Sequence, residues 1–163
     1  MTKTLLIYYS ADEAVRTLCE DSRKYGEIDV VELTEAYDRS RLEVATLGAV
    51  QALAGKSSVI DKTDIDFDAY DTVILASPVW AASPAPAINA FLRRTDLRSR
   101  EIIGLLFGGG RASVIAGDML RKRTALAGGI CRSIVSVPPK ELKKDTVDLF
   151  SLLKTKAPAA ALA

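Results

Sequence analysis

Three short segments of this chain carry residues whose types and spacing could do chemistry. They are Ser10-Ala11-Asp12-Glu13, the stretch from Ser77 to Pro86 that contains the sole tryptophan, Trp80, and Phe107-Gly108-Gly109-Gly110-Arg111-Ala112-Ser113. Consecutive glycines let backbone approach a ligand closely and donate N–H groups; glycines after a strand also serve simply as turns. Arg111 reads either as a contact for an anion or as a solvated surface cation. Asp12 and Glu13 suit the positive end of a following helix. The missing residues narrow the chemistry further. There is no histidine, which removes Ser-His-Asp and Cys-His nucleophile machinery and every histidine metal site. Cys19 and Cys131 are far apart, form no C-x-x-C pair and read as small buried hydrophobes in a reducing compartment.

The elements that must position these segments follow from pattern. Thr4 to Tyr9 is an apolar and aromatic run without polar alternation, which predicts a central strand buried on both faces of a parallel sheet. A helix is expected from Asp12 to Tyr25, with Ala14, Val15, Leu18 and Cys19 at helical spacing and Gly26 as its stop. Ile28 to Leu33 reads as a second strand, and Leu42 to Leu53 as a helix ended by Gly55. Tyr70 to Ser77 is a third strand punctuated by Pro78, followed by a helix over Ala87 to Arg94. Glu101 to Phe107 is a fourth strand. The helix after it is expected to turn Val114, Ile115, Met119, Leu120 and Leu126 inward, until Gly128 and Gly129 end it. Ile130 to Val137 is a fifth strand closed by Pro138 and Pro139, and Glu141 to Lys156 a last amphipathic helix.

Strands separated by helices five times over predict an α/β fold: a three-layer, doubly wound, five-stranded parallel sheet joined by right-handed crossovers. Ligands of such sheets sit outside the carboxyl ends of the strands, where all three chemical segments fall. The chain has 163 residues, 48% of them apolar, enough for one domain that hides roughly 70% of its unfolded surface. No repeat, linker or composition shift divides it, so residues 1–163 read as a single domain with residues 157–163 as a frayed tail. The 22 basic and 21 acidic residues nearly cancel, leaving no single-sign field to hold nucleic acid or an anionic membrane. The run Leu5 to Tyr9 is far shorter than a signal peptide or a membrane span of about 20 residues. A cytoplasmic protein is expected, with no nucleic-acid and no membrane partner, as a monomer or homodimer.

KTLLIYYS at the start, and above all YDTVILASPVWAASPAPAINAFL, resemble the flavodoxin family of FMN-binding electron-transfer proteins. In that family the strand ends in a loop like P-V-W-A-G-x-P-A-P, which Pro78, Val79, Trp80, Ala81, Ala82, Ser83, Pro84, Ala85 and Pro86 follow closely. GAVQALAGK, residues 48–56, matches more weakly. The resemblance implies a strand order of 2-1-3-4-5 and FMN as cofactor. It places Pro78, Val79, Trp80, Ala81 and Ala82 beside the flavin ring, and Gly108, Gly109 and Gly110 in the other ring-flanking loop. It implies oxidoreductase activity with no catalytic side chain and no metal, and a redox partner protein. A loop stiffened by Pro78, Pro84 and Pro86 suits the wall of a flat ring; the alternative is that Trp80 packs on a neighbouring helix or a partner.

The first loop departs from the family. Flavodoxins usually surround the FMN phosphate with a loop like T/S-x-T-G-x-T at a helix N-terminus. The resemblance places Ser10 and Ala11 at the cofactor in this loop, but only Ser10 matches its pattern, and Asp12 and Glu13 bring carboxylates to the place of a dianion. At about 4 Å and an effective dielectric near 20, each such like-charge contact costs about 4 kcal/mol before screening. One account is that Asp12 caps the helix itself, accepting the N–H groups a phosphate would take. Near-neutral charge also differs from the acidity common in electron-carrying flavodoxins. Three functions therefore stand side by side: FMN binding with electron transfer; a flavodoxin-fold protein that has lost FMN and acts as a binding or regulatory module; or binding of a flavin without phosphate, or of another flat ligand, by the Trp80 and glycine loops alone.

Overall fold

Leu5, Leu6 and Ile7 are wholly buried, as is Tyr8, so β1 (Thr4–Tyr8) must pair on both edges to satisfy its backbone. It does so in parallel, with β2 (Ile28–Glu32) on one side and β3 (Thr72–Trp80) on the other. The computed structural model describes residues 3–35, 64–142 and 148–156. The helix expected over Leu42 to Leu53, the segment 48–56 and the tail 157–163 lie outside them. Beyond β3 the sheet continues in parallel through β5 (Glu101–Phe107) to β6 (Ile130–Val137), while the two-residue β4 (Ser83–Pro84) folds back antiparallel on the end of β3. The order is β2-β1-β3-β5-β6 with β4 off the path; over the parallel strands alone it is the expected 2-1-3-4-5.

Helices cover both faces. The period of two along each strand divides the core. On one face Leu5, Ile7, Val73, Leu75, Ile102 and Leu106 meet Ile88 and Phe91 of α2 (Pro86–Arg94) and Leu120 of α3 (Gly110–Leu126). On the other, Leu6, Tyr8, Ile74, Ile103 and Leu105 meet Val15, Leu18 and Cys19 of α1 (Glu13–Asp21). A short α4 (Pro139–Leu142) follows β6, and Leu149, Leu152 and Leu153 of α5 (Leu149–Lys156) join the second face. The single helix expected over Glu141 to Lys156 is interrupted: Asp148 is not helical and its carboxylate accepts from the Ser151 N–H at 2.8 Å, starting α5 afresh.

Two expectations are corrected near the strand ends. Pro78 does not close β3. It lies in register with Phe107, and the strand runs on to Trp80 before a two-residue turn pairs Val79 with Pro84 and Trp80 with Ser83. The inward face of α3 also differs. Val114, Ile115 and Leu126 are 66%, 42% and 88% exposed, and the buried residues are Ser113, Ala116, Gly117, Leu120 and Thr124. The reason lies across the sheet. A Cβ at Gly104 of β5 would stand 2.5 Å from Cδ1 of Ile134 and 2.8 Å from Cδ2 of Leu120, so those two side chains fill the space that glycine leaves. The helix then packs through small residues at close approach, with its branched residues turned out.

Candidate functional site

The carboxyl ends of β1, β3 and β5 lie side by side, because those strands are neighbours in the sheet. The chain leaves β1 for β2 on one side, while β3 lies on the other, so this is the switch point where open α/β sheets hold ligands. The three segments singled out in the sequence open there.

The first is closed on itself. Ser10 is buried; its hydroxyl accepts from the Asp12 N–H at 2.9 Å and donates to the Asp12 carbonyl at 2.6 Å. Ala11 is exposed. Asp12 is the N-cap of α1, and its carboxylate accepts from the Ala14 N–H at 2.8 Å. Arg16, one turn on, is committed to carboxylates: its Nε donates to Glu32 and its Nη1 to Glu13, each at 2.9 Å, and Nη2 reaches the Ser10 carbonyl at 3.4 Å. The hydrogen bonds it donates to Glu32, then to Glu13, hold the Arg16 pKa above its usual value.

The second is a hairpin. Ser77 closes its base, accepting from the Ala85 N–H at 2.9 Å and donating to the Pro78 carbonyl at 2.9 Å. Pro78, Val79, Trp80, Ala81 and Ala82 are all half-buried. Ala81 and Ala82 form the tip with φ of 47° and 59°, left-handed angles that glycine or asparagine adopt far more readily. Trp80 leans on Tyr9, the residue after β1, edge to face with ring centroids 5.6 Å apart and planes at 83°. The Tyr9 hydroxyl donates to Glu35 at 3.0 Å. Tyr9 is a site residue that sequence reasoning missed; an aromatic at a strand's carboxyl end was the available signal.

The third segment meets the second. A Cβ at Gly108 would stand 2.8 Å from Cβ of Val79 and 2.9 Å from Oγ of Ser113, so only glycine admits this contact of hairpin and loop. The Gly108 N–H donates to the Val137 carbonyl at 2.9 Å. Gly109 is the N-cap of α3 without a side chain to cap it, Gly110 takes a φ of 62°, and both are exposed, as is Arg111. The Ser113 hydroxyl beneath is buried and has no hydrogen-bond partner among the described residues.

A protein of Bacteroides eggerthii DSM 20697, provisionally named a flavoprotein, superposes with a TM-score of 0.74 at 16% identity, covering 97% of this chain and 99% of its own. The flavoprotein of Lactobacillus acidophilus NCFM, solved in complex with FMN, gives a TM-score of 0.70 at 19% identity over 83% of this chain and 93% of that one. This chain has the flavodoxin-like fold. The apo form of the same L. acidophilus flavoprotein gives 0.61 at 21% identity, covering 85% of this chain and 92% of its own. No protein-family model matches the sequence, and no curated protein sequence matches it either.

FMN asks two things of a flavodoxin-like fold, a place for a flat ring and a place for a phosphate dianion. For the ring the described residues offer an aromatic pair, half-buried Trp80 on buried Tyr9, and an exposed glycine loop whose helix start no side chain caps. The phosphate's requirements are not met. The α1 terminus is already capped by a carboxylate, Glu13 stands exposed beside it, and Arg16 is engaged by Glu13 and Glu32. Elsewhere, Tyr8 of β1 and Cys19 of α1 are buried in the core where that helix meets the sheet. Burial, with Glu20 next, pushes the Tyr8 phenol far above its usual range, and burial does the same to the Cys19 thiol. Neither ionises to serve as a nucleophile near neutral pH.

Proposed function

We propose that this protein binds a flavin by its ring at the carboxyl ends of β1, β3 and β5 and exchanges electrons through it with a partner protein. The observation that carries this reading is the contact of Val79 with Gly108, which sets the Trp80 hairpin against the Gly108–Gly110 loop at the strand ends, with Tyr9 packed on Trp80. A bound flavin supplies reversible electron transfer, and no acid or base is asked of the protein. Trp80 and Tyr9 serve as apolar walls that exclude water from the ring. The N–H groups at the start of α3 serve as donors to its polar edge. The phosphate of FMN adds little to affinity, because Asp12 occupies the N–H group it would need and sets a like charge beside it. The fold's neighbours include a flavoprotein solved with FMN, which supports the choice of a flavin over other flat ligands.

A second reading is favoured by the same Asp12 cap: a flavodoxin-fold binding module that no longer holds flavin. Fluorescence titration separates the two. Adding the protein to riboflavin or FMN quenches flavin emission on the first reading, and Trp80→Ala weakens the quenching. Unquenched emission with both flavins, at protein concentrations up to about 1 mM, supports the second.

A further inference from the structure

Away from the strand ends, α2 and α3 border a cleft of ≈ 380 Å³ lined by Leu92, Leu126 and Ala127 and by Asn89, Arg93 and Arg123. That volume falls at the small end of clefts that take organic ligands, roughly 300–1,000 Å³. Arg123 is the member that needs explaining. Its side chain is half-buried, and its Nη1 donates to the Asn89 amide oxygen and, at 3.3 Å, to the Ser83 hydroxyl. Both partners are neutral, and its Nε and Nη2 make no hydrogen bond among the described residues. Burial, and after it the charge of Arg93, draws its pKa below the usual guanidinium range. A partly desolvated cation whose described partners are neutral is raised in free energy until an anion joins it. The free Nε and Nη2 edge is the fork that takes a carboxylate through two parallel hydrogen bonds.

We propose that this cleft binds a small amphipathic organic anion, with its carboxylate on the Nε and Nη2 edge of Arg123 and its apolar body against Leu92, Leu126 and Ala127. The apolar lining selects against inorganic anions, which gain nothing there, and the unpartnered guanidinium edge selects against neutral apolar molecules. The site is independent of the flavin reading, since its lining includes none of Tyr9, Trp80 and Gly108. Leu126, 88% exposed at the rim, is an apolar side chain with no role in the core, and the proposal gives it one.

The test is a titration of the full chain with octanoate, followed by two-dimensional amide NMR, with octanol and inorganic phosphate as controls. Octanoate is expected to give saturable shifts at Thr95, Arg123, Leu126 and Ala127, with an affinity about tenfold or more above that of either control. Arg123→Gln is expected to weaken octanoate by about tenfold or more. Leu126→Glu, placed at a position that folding does not need, is expected to weaken it through charge repulsion, and decides the matter should Arg123→Gln fail to fold. The proposal is overturned by an absence of saturable shifts, by equal affinity for octanol, or by unchanged octanoate affinity in Leu126→Glu and in folded Arg123→Gln.

Discussion

The carboxylate of Asp12 accepts a hydrogen bond from the backbone N–H of Ala14 at 2.8 Å, closing the start of α1 where the resembling family receives a phosphate. The cap is worth stability in its own right. Asp12→Ala is expected to lower unfolding free energy by about 1 kcal/mol, and Asp12→Ser, which keeps a capping oxygen, by only a few tenths. Urea denaturation of both variants checks this; a harmless Asp12→Ala would mean that the cap is not holding the helix start.

The hairpin tip stores strain. Ala82, at a φ of 59°, stands where the family loop has glycine, and a left-handed alanine costs about 1–2 kcal/mol. Part of that is offset because glycine frees the unfolded chain. Ala82→Gly is therefore expected to stabilise the protein by about 0.5–1 kcal/mol. A lower midpoint in urea would contradict the strained turn.

Gly108 admits a contact that no other residue does. Gly108→Ala forces Val79 or Ser113 aside and is expected to cost about 1–3 kcal/mol through overpacking. It also moves the hairpin off the glycine loop, so flavin quenching should weaken more than stability alone explains. Unaltered stability together with unaltered quenching would remove the basis for one shared flavin site.

Much of this was readable from residue order, for identifiable reasons. Strands buried on both faces must be apolar without interruption, which is why Leu5, Leu6 and Ile7 and the run Val73, Ile74, Leu75 and Ala76 announce themselves. The Asp12 cap was readable too, since an N-cap acts within two residues of itself. What escaped depends on partners far away in sequence. Val114 and Ile115 face out because Gly104, on another strand, draws Leu120 and the small residues of α3 onto the sheet. The hairpin was hidden because its turn uses two alanines in place of the usual Asn-Gly. Tyr9 meets Trp80 only because β1 and β3 are neighbours.

One polar cluster ties three strands together at their opposite ends. The Asp29 carboxylate accepts from the Lys3 ammonium at 2.7 Å and from the Tyr70 hydroxyl at 2.7 Å, and these bonds, Lys3 first, hold its pKa below the usual 3.8. A lowered carboxylate stabilises the fold above its unfolded-state value, and that contribution fades as pH falls through the folded-state value. Asp29→Asn should thus be less stable than the natural chain at pH 7, with the gap closing below about pH 4. Because Lys3 and Asp29 are about half exposed, solvent screens the pair and the gap is small. Urea midpoints measured from pH 7 to pH 3 test the sign; a gap that widens in acid refutes it.

The central claim is that a flavin is held by its ring while Asp12 closes the phosphate site. Its most direct test is the ratio of FMN to riboflavin dissociation constants for the natural chain and for Asp12→Ser. The account predicts that both flavins bind the natural chain with constants within about tenfold of each other, and that Asp12→Ser shifts the ratio toward FMN by about tenfold or more as a like charge is removed. Binding of neither flavin, or a strong preference for FMN that Asp12→Ser leaves unchanged, would contradict it.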